Sequence, residues 1–585
     1  VIDLEADVLV LGGGPAGVWA ALSAARAGVR VALVDKARCG HSGPTAKSTV
    51  SLWNIPPGPL RDAAVTRGLA DGGCLGDPEW MARVLAETYR QADHLARWSR
   101  REPAEPAARV TRIRLDGAQY LARMRRALIL AGVRILDHHP ALQLIVDTEG
   151  VVSGAAGVRT QDGFRSWTVR AGAVVVATGG CAFRSGGAGT DVDTGDGMLM
   201  AAEAGGELSG MEFSSAYSLA PVLGSHPAGA DRRATASRAA LRTATLCDEN
   251  GTVFGSAGEG FGAQALAALA DGRRVYACWQ LGAQDAAPGR RLPGDLARMP
   301  VRAVLEGTVR GAGGVRLIGF DCATTVPGLF AAGEVAGREP ITGAVGGFGG
   351  QGGAWSMSSG VWAGAGAARF AAGRGRRGPV RPVPGAGLHG GAGLDPRAVV
   401  GLVQEHTLPM RRSYRRSADS LRDSIAELDA LWPATEFALG GIGPDRLYAR
   451  EAAALLAVAR WTKYSALART ESRGIHRRTD HPEVIEHWCR RLLTGGLGTV
   501  WVRPQACEPV PVASQSAVRQ PAVPESAVLQ SAVPESAVWQ PVVSQSAVSQ
   551  SVASQSAMSQ PAGSPPSALQ PEQACELERP DLATA

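Results

Sequence analysis

Residues 7–35 read "DVLVLGGGPAGVWAALSAARAGVRVALVD". "DVLVL" (7–11) is a short apolar run leading into glycines, "PAGVWAALSAARAG" is an alanine-rich helical segment stopped by Gly28, and "VRVALVD" is a second apolar run. Strand, helix and strand within about 30 residues make one βαβ unit, with the acidic Asp35 closing the second strand. Gly12, Gly14 and Gly17 spell G-x-G-x-x-G at the first turn. The chain has 75 glycines in 585 residues, so such strings arise by chance, and only the position between strand and helix gives this one meaning. Gly12 permits the tight turn, Gly14 lets a pyrophosphate approach the backbone, and Gly17 lets the helix pack on the strand. The helix N-terminus turns its free N–H groups towards the phosphates. Asp35 is expected on an adenosine ribose. A dinucleotide-binding unit is the expectation.

Composition limits what the rest can be. Hydrophobic residues make up 45% of the chain, ordinary for a globular protein of several domains. The basic residues are almost all arginine, with lysine only at 36, 47 and 463. The net charge is +6; residues 506–585 carry two Arg against seven Asp and Glu, which leaves the remainder near +11. No basic stripe interleaved with aromatics stands out, which argues against nucleic-acid binding, and a diffuse positive field suits an anionic cofactor or a small acidic substrate. The nine cysteines are scattered without a C-x-x-C pair, so no metal or cluster site is expected and the thiols read as reduced, in a cytoplasmic setting. No apolar run approaches 18 residues, so no membrane span is expected, and the opening residues read as a strand rather than a signal peptide.

Further along, residues 77–99 and 118–131 have helical periodicity, and a β-rich stretch returns to a buried strand at 173–178. The pattern weakens between 219 and 309, as in a small inserted domain. The expected organisation is a Rossmann-like first part (1–218), a cap or substrate domain (219–309), the second part of the nucleotide domain (310–372), a Gly/Pro/Arg linker (373–395) and a helical C-terminal domain (396–505). Residues 506–585 form a tail with a five-residue period, "SAVRQ PAVPE SAVLQ SAVPE" from Ser516. Its central Val or Ala and recurring Pro suit disorder better than a β-solenoid.

"VVVATGG" (174–180), "TGDG" (194–197), "VPGLFAAGE" (326–334), "DGMLMAAEAGGELSGMEF" (196–213) and "TESRGIHRRTDHP" (470–482) occur in this order. Together with the first turn they resemble the flavoprotein family of succinate dehydrogenase and fumarate reductase, which also includes L-aspartate oxidase and the adenylylsulfate reductase α subunit. The resemblance covers most of residues 5–490 and leaves the tail unmatched. It implies an α/β fold with an FAD-binding domain, an inserted cap and a helical C-terminal domain. It further implies that Gly12, Gly14, Gly17, Asp35 and Lys36 take the ADP half of FAD, that Ser42, Gly43 and Thr45 line the riboflavin side, and that Thr178, Gly179 and Gly180 close over adenosine and pyrophosphate. Asp196 would face the flavin, Glu334 the ribityl chain, and the helix starting at Gln351 would point its positive end at the flavin. His41 lies near the place where some relatives attach FAD covalently, but aligned on "SGPTA" that place falls nearer Ser42, so non-covalent FAD is expected.

The family's substrate residues are changed. Its histidine position in "EFSSAYSL" holds Tyr217, its cap arginine has only Arg232 and Arg233 as candidates, the histidine before "GAGG" is Val309, and its arginine after "GAV" is Gly346. Fumarate and succinate enzymes hold two carboxylates between such groups, because a guanidinium fork matches a carboxylate. A different substrate is therefore expected. Tyr217, Arg310, Arg232 and Arg233 are the candidates to move a proton or meet an acidic group, while Arg473 and His476 are expected to support packing. The expected activity is hydride transfer between flavin N5 and a small organic substrate, with an iron–sulfur or other partner as a possible electron acceptor. The alternative is a non-catalytic flavin-binding subunit with an interaction role.

Overall fold

The apolar runs at 8–11, 31–34 and 173–176 are each buried along their whole length, as strands covered on both faces of a parallel sheet must be. In the computed structural model, which describes residues 2–96, 112–222, 241, 244–256, 262–279, 298–347, 349–374, 378–390 and 393–506, they pair side by side. The sheet runs Leu329–Ala331, Ala173–Val176, Val8–Leu11, Val31–Val34, Arg134–Leu136, all parallel. Val8–Leu11 lies at its centre, and the turn that follows opens at the carboxyl ends of the strands, where ligands of open α/β sheets bind.

Two helices fix that turn from one side. Helix Pro15–Arg26 begins directly after Gly14 and buries Ala16 to Leu22, and helix Gln351–Gly373 crosses it. The crossing is close because small residues meet: a Cβ on Gly360 would stand 2.4 Å from the Ala16 carbonyl oxygen, and one on Gly364 would stand 2.1 Å from that of Ala20. Trp355 on the second helix donates its indole N–H to the Gly333 carbonyl, and Trp19 on the first donates to the Tyr120 hydroxyl.

A second five-stranded sheet, ordered Ile2–Glu5, Arg165–Arg170, Val152–Arg159, Ala141–Asp147, Val380–Pro382, flanks the first. Its last strand lies in the stretch whose Gly/Pro/Arg composition suggests a linker. Val380–Pro382 pairs antiparallel with Ile145–Asp147, as an edge strand that tolerates proline. Between 216 and 306 the chain forms an antiparallel sheet, Ala216–Pro221, Arg298–Glu306, Val275–Cys278, Thr245–Asp248, Val253–Ser256, with helix Gly262–Ala270 on one face. The scattered spacing of cysteines conceals one approach here: the Cys247 and Cys278 sulfurs lie 3.7 Å apart across neighbouring strands. Helices Pro396–Thr407, Ala418–Phe437 and Pro444–Ala468 carry the C-terminal part. Arg232, Arg233 and the repeat tail from 507 onward lie outside the described residues.

The helix crossing generates a stability test. Gly364→Ala forces a methyl onto the Ala20 carbonyl and is expected to cost about 1–3 kcal/mol. Gly373→Ala, where an added Cβ meets no atom within 4 Å, is expected to be neutral or to stabilise by up to about 1 kcal/mol. Denaturant midpoints of the full chain check both.

Candidate functional site

The glycine turn after Val8–Leu11 forms one wall of a cleft with about 880 Å³ of atom-free space, part of it open to solvent. Gly12 is held at φ 106°, a conformation open to glycine at little cost. A Cβ on Gly17 would stand 1.8 Å from the Gly12 carbonyl oxygen, so only glycine lets the helix sit this close. A Cβ on Gly14, by contrast, would meet nothing within 4 Å. The backbone of Gly14 therefore faces open cleft at the N-terminus of a 12-residue helix, where a phosphate is favoured.

Of the residues expected to hold a cofactor, the cleft brings together Gly12, Gly14, Asp35, Lys36, Ser42, Gly43, Thr45, Thr178, Gly179, Asp196 and Glu334. Asp35 accepts from the Gly13 N–H at 2.5 Å and the Ala37 N–H at 2.7 Å. These bonds aim the carboxyl and leave acceptor capacity for a sugar hydroxyl. Burial pushes its pKa up despite them. Lys36 reaches the cleft wall, but its ammonium is taken by Asp196 at 2.7 Å, Glu451 at 2.9 Å and the Thr194 hydroxyl at 2.9 Å. Burial works against its charge, yet the two carboxylates outweigh burial and hold the ammonium above the usual lysine range. Lys36 and Asp196 thus tie the nucleotide sheet to helix Pro444–Ala468, with Arg184 joining through Glu451. Both residues still line the cleft.

Three expected residues stand elsewhere. Gly17 packs beneath the turn as described. Gly180 faces Thr308, whose Oγ1 a Cβ there would meet at 2.7 Å. Gln351 turns its amide towards the Ile341 carbonyl at 3.5 Å, since the helix start is capped by Gly350. His41 is exposed, with its ring nitrogen Nδ1 on the Cys39 carbonyl oxygen at 3.1 Å.

Tyr217 lies outside this cleft. Its hydroxyl points to the Leu408 carbonyl at 3.4 Å and its ring stacks edge-on against Tyr414, so it does not line the cleft. Burial pushes its pKa up, against Arg416, which leaves a neutral phenol that can donate but not abstract a proton at neutral pH. Arg310, partly exposed, is ion-paired to Glu306 at 2.8 Å. Arg473 and His476 fit a packing role: Arg473 pairs with Glu471 at 2.7 Å, and His476 accepts at Nδ1 from Arg416 at 2.6 Å.

Two buried groups escaped the sequence. Asp193 lies against Gly179 in the cleft, 3% exposed, and its Oδ2 has no hydrogen-bond partner. Burial, with Glu334 adding repulsion, raises its pKa well above the carboxylate range, and Glu334 is raised too, chiefly by burial. Arg338 is 1% exposed and its Nη2 donates to the carbonyls of Thr308 at 2.9 Å and Val309 at 2.7 Å. Neither had a motif to mark it, one being an extra Asp before "TGDG", the other one arginine among many.

The fit to a dinucleotide rests on these atoms. Thr178 Oγ1 and Asp193 Oδ2 are buried and unpaired, a costly state unless a ligand supplies partners, and Gly14, which lines the same cleft, offers bare backbone. Cleft and sheet together have the form of a dinucleotide-binding site.

The comparisons name the family. Residues 7–279 match the FAD binding domain family, and residues 413–516 match the fumarate reductase flavoprotein C-terminal family. The chain is 28% identical over 529 residues to the L-aspartate oxidase of Mycobacterium leprae, covering 83% of this chain and 94% of that protein. It is 29% identical to the L-aspartate oxidase of Streptomyces coelicolor over 246 residues, 39% of this chain and only 42% of that protein. Its fold is similar to quinol fumarate reductase of E. coli, with a TM-score of 0.69 and 22% identity over 88% of this chain and 99% of that one. The chain belongs to the succinate dehydrogenase and fumarate reductase flavoprotein family and is an FAD-dependent oxidoreductase. Among the described residues, no helix is long and apolar enough to cross a membrane.

The buried acid pair sets a pH test. A carboxyl whose folded pKa is raised keeps its proton in the folded state, so its cost to stability appears as pH rises above the unfolded value near 4 and is complete above the folded value. Asp193→Asn is therefore expected to raise the Tm of the apo-protein at about pH 7.5, with the gain shrinking towards about pH 5. A gain that does not change with pH would contradict the charge argument.

Proposed function

We propose that this enzyme oxidises or reduces a C–C or C–N bond of a small organic substrate other than fumarate or succinate, with FAD held non-covalently. The observation that carries this reading is a contrast within one chain. The cofactor cleft keeps its unpaired buried acceptors and bare backbone, whereas Tyr217, Val309 and Gly346 stand where relatives hold dicarboxylates. The exposed His41, turned to the Cys39 carbonyl and outside the cleft lining, supports non-covalent attachment.

FAD, when bound, supplies a two-electron redox centre. Gly12, Gly14 and the start of helix Pro15–Arg26 would bind its phosphates, Asp35 its ribose, and Ser42, Gly43, Thr45, Thr178 and Glu334 would position the remainder. The positive end of the 23-residue helix Gln351–Gly373 would favour negative charge beside it. Arg310, whose side chain is 43% exposed, is the candidate to meet the substrate. Electrons would leave to an iron–sulfur or other electron-transfer partner, to oxygen or to a quinone, in a cytoplasmic setting.

Acid precipitation of the purified chain tests the reading. A yellow protein is expected to release its colour into the supernatant, and anaerobic succinate is expected not to bleach it. Colour retained in the pellet would overturn non-covalent attachment, bleaching by succinate would overturn the substrate assignment, and a protein colourless even after added FAD would overturn both.

A further inference from the structure

Cys74 and Cys489 meet at the surface from positions 415 residues apart in the chain. The Cys489 thiol donates to the Cys74 carbonyl oxygen at 3.2 Å. Burial and the neighbouring Cys74 thiol push the Cys489 thiol up in pKa, against the pull of Arg473. Both cysteines are exposed. The Cys247 and Cys278 sulfurs also approach each other, but both are buried between strands, out of reach of a reagent in solution.

The backbone holds the exposed pair together. Cys74 lies in the turn after helix Pro59–Asp71 at φ 61°, a left-handed conformation uncommon for any residue but glycine. That turn is pinned along its length. The Cys74 N–H donates to the Leu69 carbonyl and the Ala344 N–H to the Gly72 carbonyl, both at 2.9 Å. Arg473 donates to the Gly73 carbonyl at 2.6 Å and Arg491 to the Leu75 carbonyl at 3.1 Å. Cys489 closes the short turn Glu486–Trp488, with its N–H on the Glu486 carbonyl at 2.9 Å. Arg473, although paired with Glu471, also interacts electrostatically with both thiols. A guanidinium beside a thiol favours the thiolate, which is the form that attacks a disulfide.

We propose that Cys74 and Cys489 are a thiol-oxidation site, forming a reversible disulfide with each other when the chain meets a low-molecular-weight disulfide. The Cys74 thiolate attacks one sulfur of the small disulfide. That S–S bond breaks, a mixed disulfide forms on Cys74, and one small thiolate leaves, taking up the proton Cys74 gave away. Cys489 then loses its proton and attacks the Cys74 sulfur. The protein disulfide forms and the second small thiolate leaves, taking up the proton from Cys489. Two protein thiols are oxidised and one small disulfide is reduced to two thiols. The bond staples the turn after Asp71 to the C-terminal part of the chain. Exposed disulfides of this kind are the labile ones, and a transient disulfide is compatible with thiols that otherwise stay reduced.

The test incubates the full-length chain in glutathione buffers of rising oxidised fraction, blocks free thiols with N-ethylmaleimide, and maps the digested protein by mass spectrometry. The expected result is a peptide pair joined through Cys74 and Cys489, with the loss of two free thiols per chain. Reduced glutathione is expected to restore both. Cys489→Ser is expected to abolish the cross-link and leave Cys74 carrying one glutathione. If that variant folds poorly, the map of the wild type decides alone. Both cysteines blocked by maleimide at every ratio, or glutathione on each without a cross-link, would overturn the proposal. A cross-link from either one to Cys507 or Cys575 would overturn it too, as would a bond that reduced glutathione does not break.

Discussion

The cleft depends on the contact between Gly17 and the Gly12 carbonyl. With 1.8 Å available to a Cβ, no other residue at 17 lets helix Pro15–Arg26 lie against the strand end, and without that contact its N-terminus would not face the cleft. The crossing of helix Gln351–Gly373 at Gly360 and Gly364 uses the same device against the carbonyls of Ala16 and Ala20. The backbone dipole of helix Pro15–Arg26 can then act on a ligand from its N-terminus. Glycine here supplies proximity as much as conformational freedom.

The charges around the cleft divide by whether they are paired. Lys36, Asp196, Glu451 and Arg184 neutralise one another and join two parts of the chain. Asp193, Glu334 and Arg338 do not form ion pairs among the described residues, and burial pushes each of them towards its neutral form, Arg338 down to about 10. Groups perturbed in this way mark functional sites more often than structural ones. Lys36, Asp196, Asp193 and Glu334 all line the cleft, so its wall carries one paired and one unpaired set of charges.

The βαβ unit was legible because period and glycine spacing are local: "DVLVL", the alanine-rich helix and "VRVALVD" each announce their own structure. The same holds for the long C-terminal helices, whose apolar faces repeat within single segments. Val380–Pro382 was hidden because a three-residue edge strand carries no period. In the site, Gly12, Gly14, Asp35 and Thr178 followed from motifs. The mutual pairing of Lys36 and Asp196 did not, since it is made across 160 residues. Asp193 and Arg338 are ordinary residues made unusual only by burial, which no single sequence displays. The partner of the Tyr217 hydroxyl, the Leu408 carbonyl, was equally hidden, being 191 residues away.

The central claim is that FAD occupies the cleft at the glycine turn. Amide hydrogen exchange on the apo-protein with and without FAD tests it most directly. The account predicts that FAD slows exchange at residues 12–17, 42–45, 178–180 and 193–196, with little change in helix Ala418–Phe437. Binding of FAD with protection elsewhere, and none at the glycine turn, would contradict it.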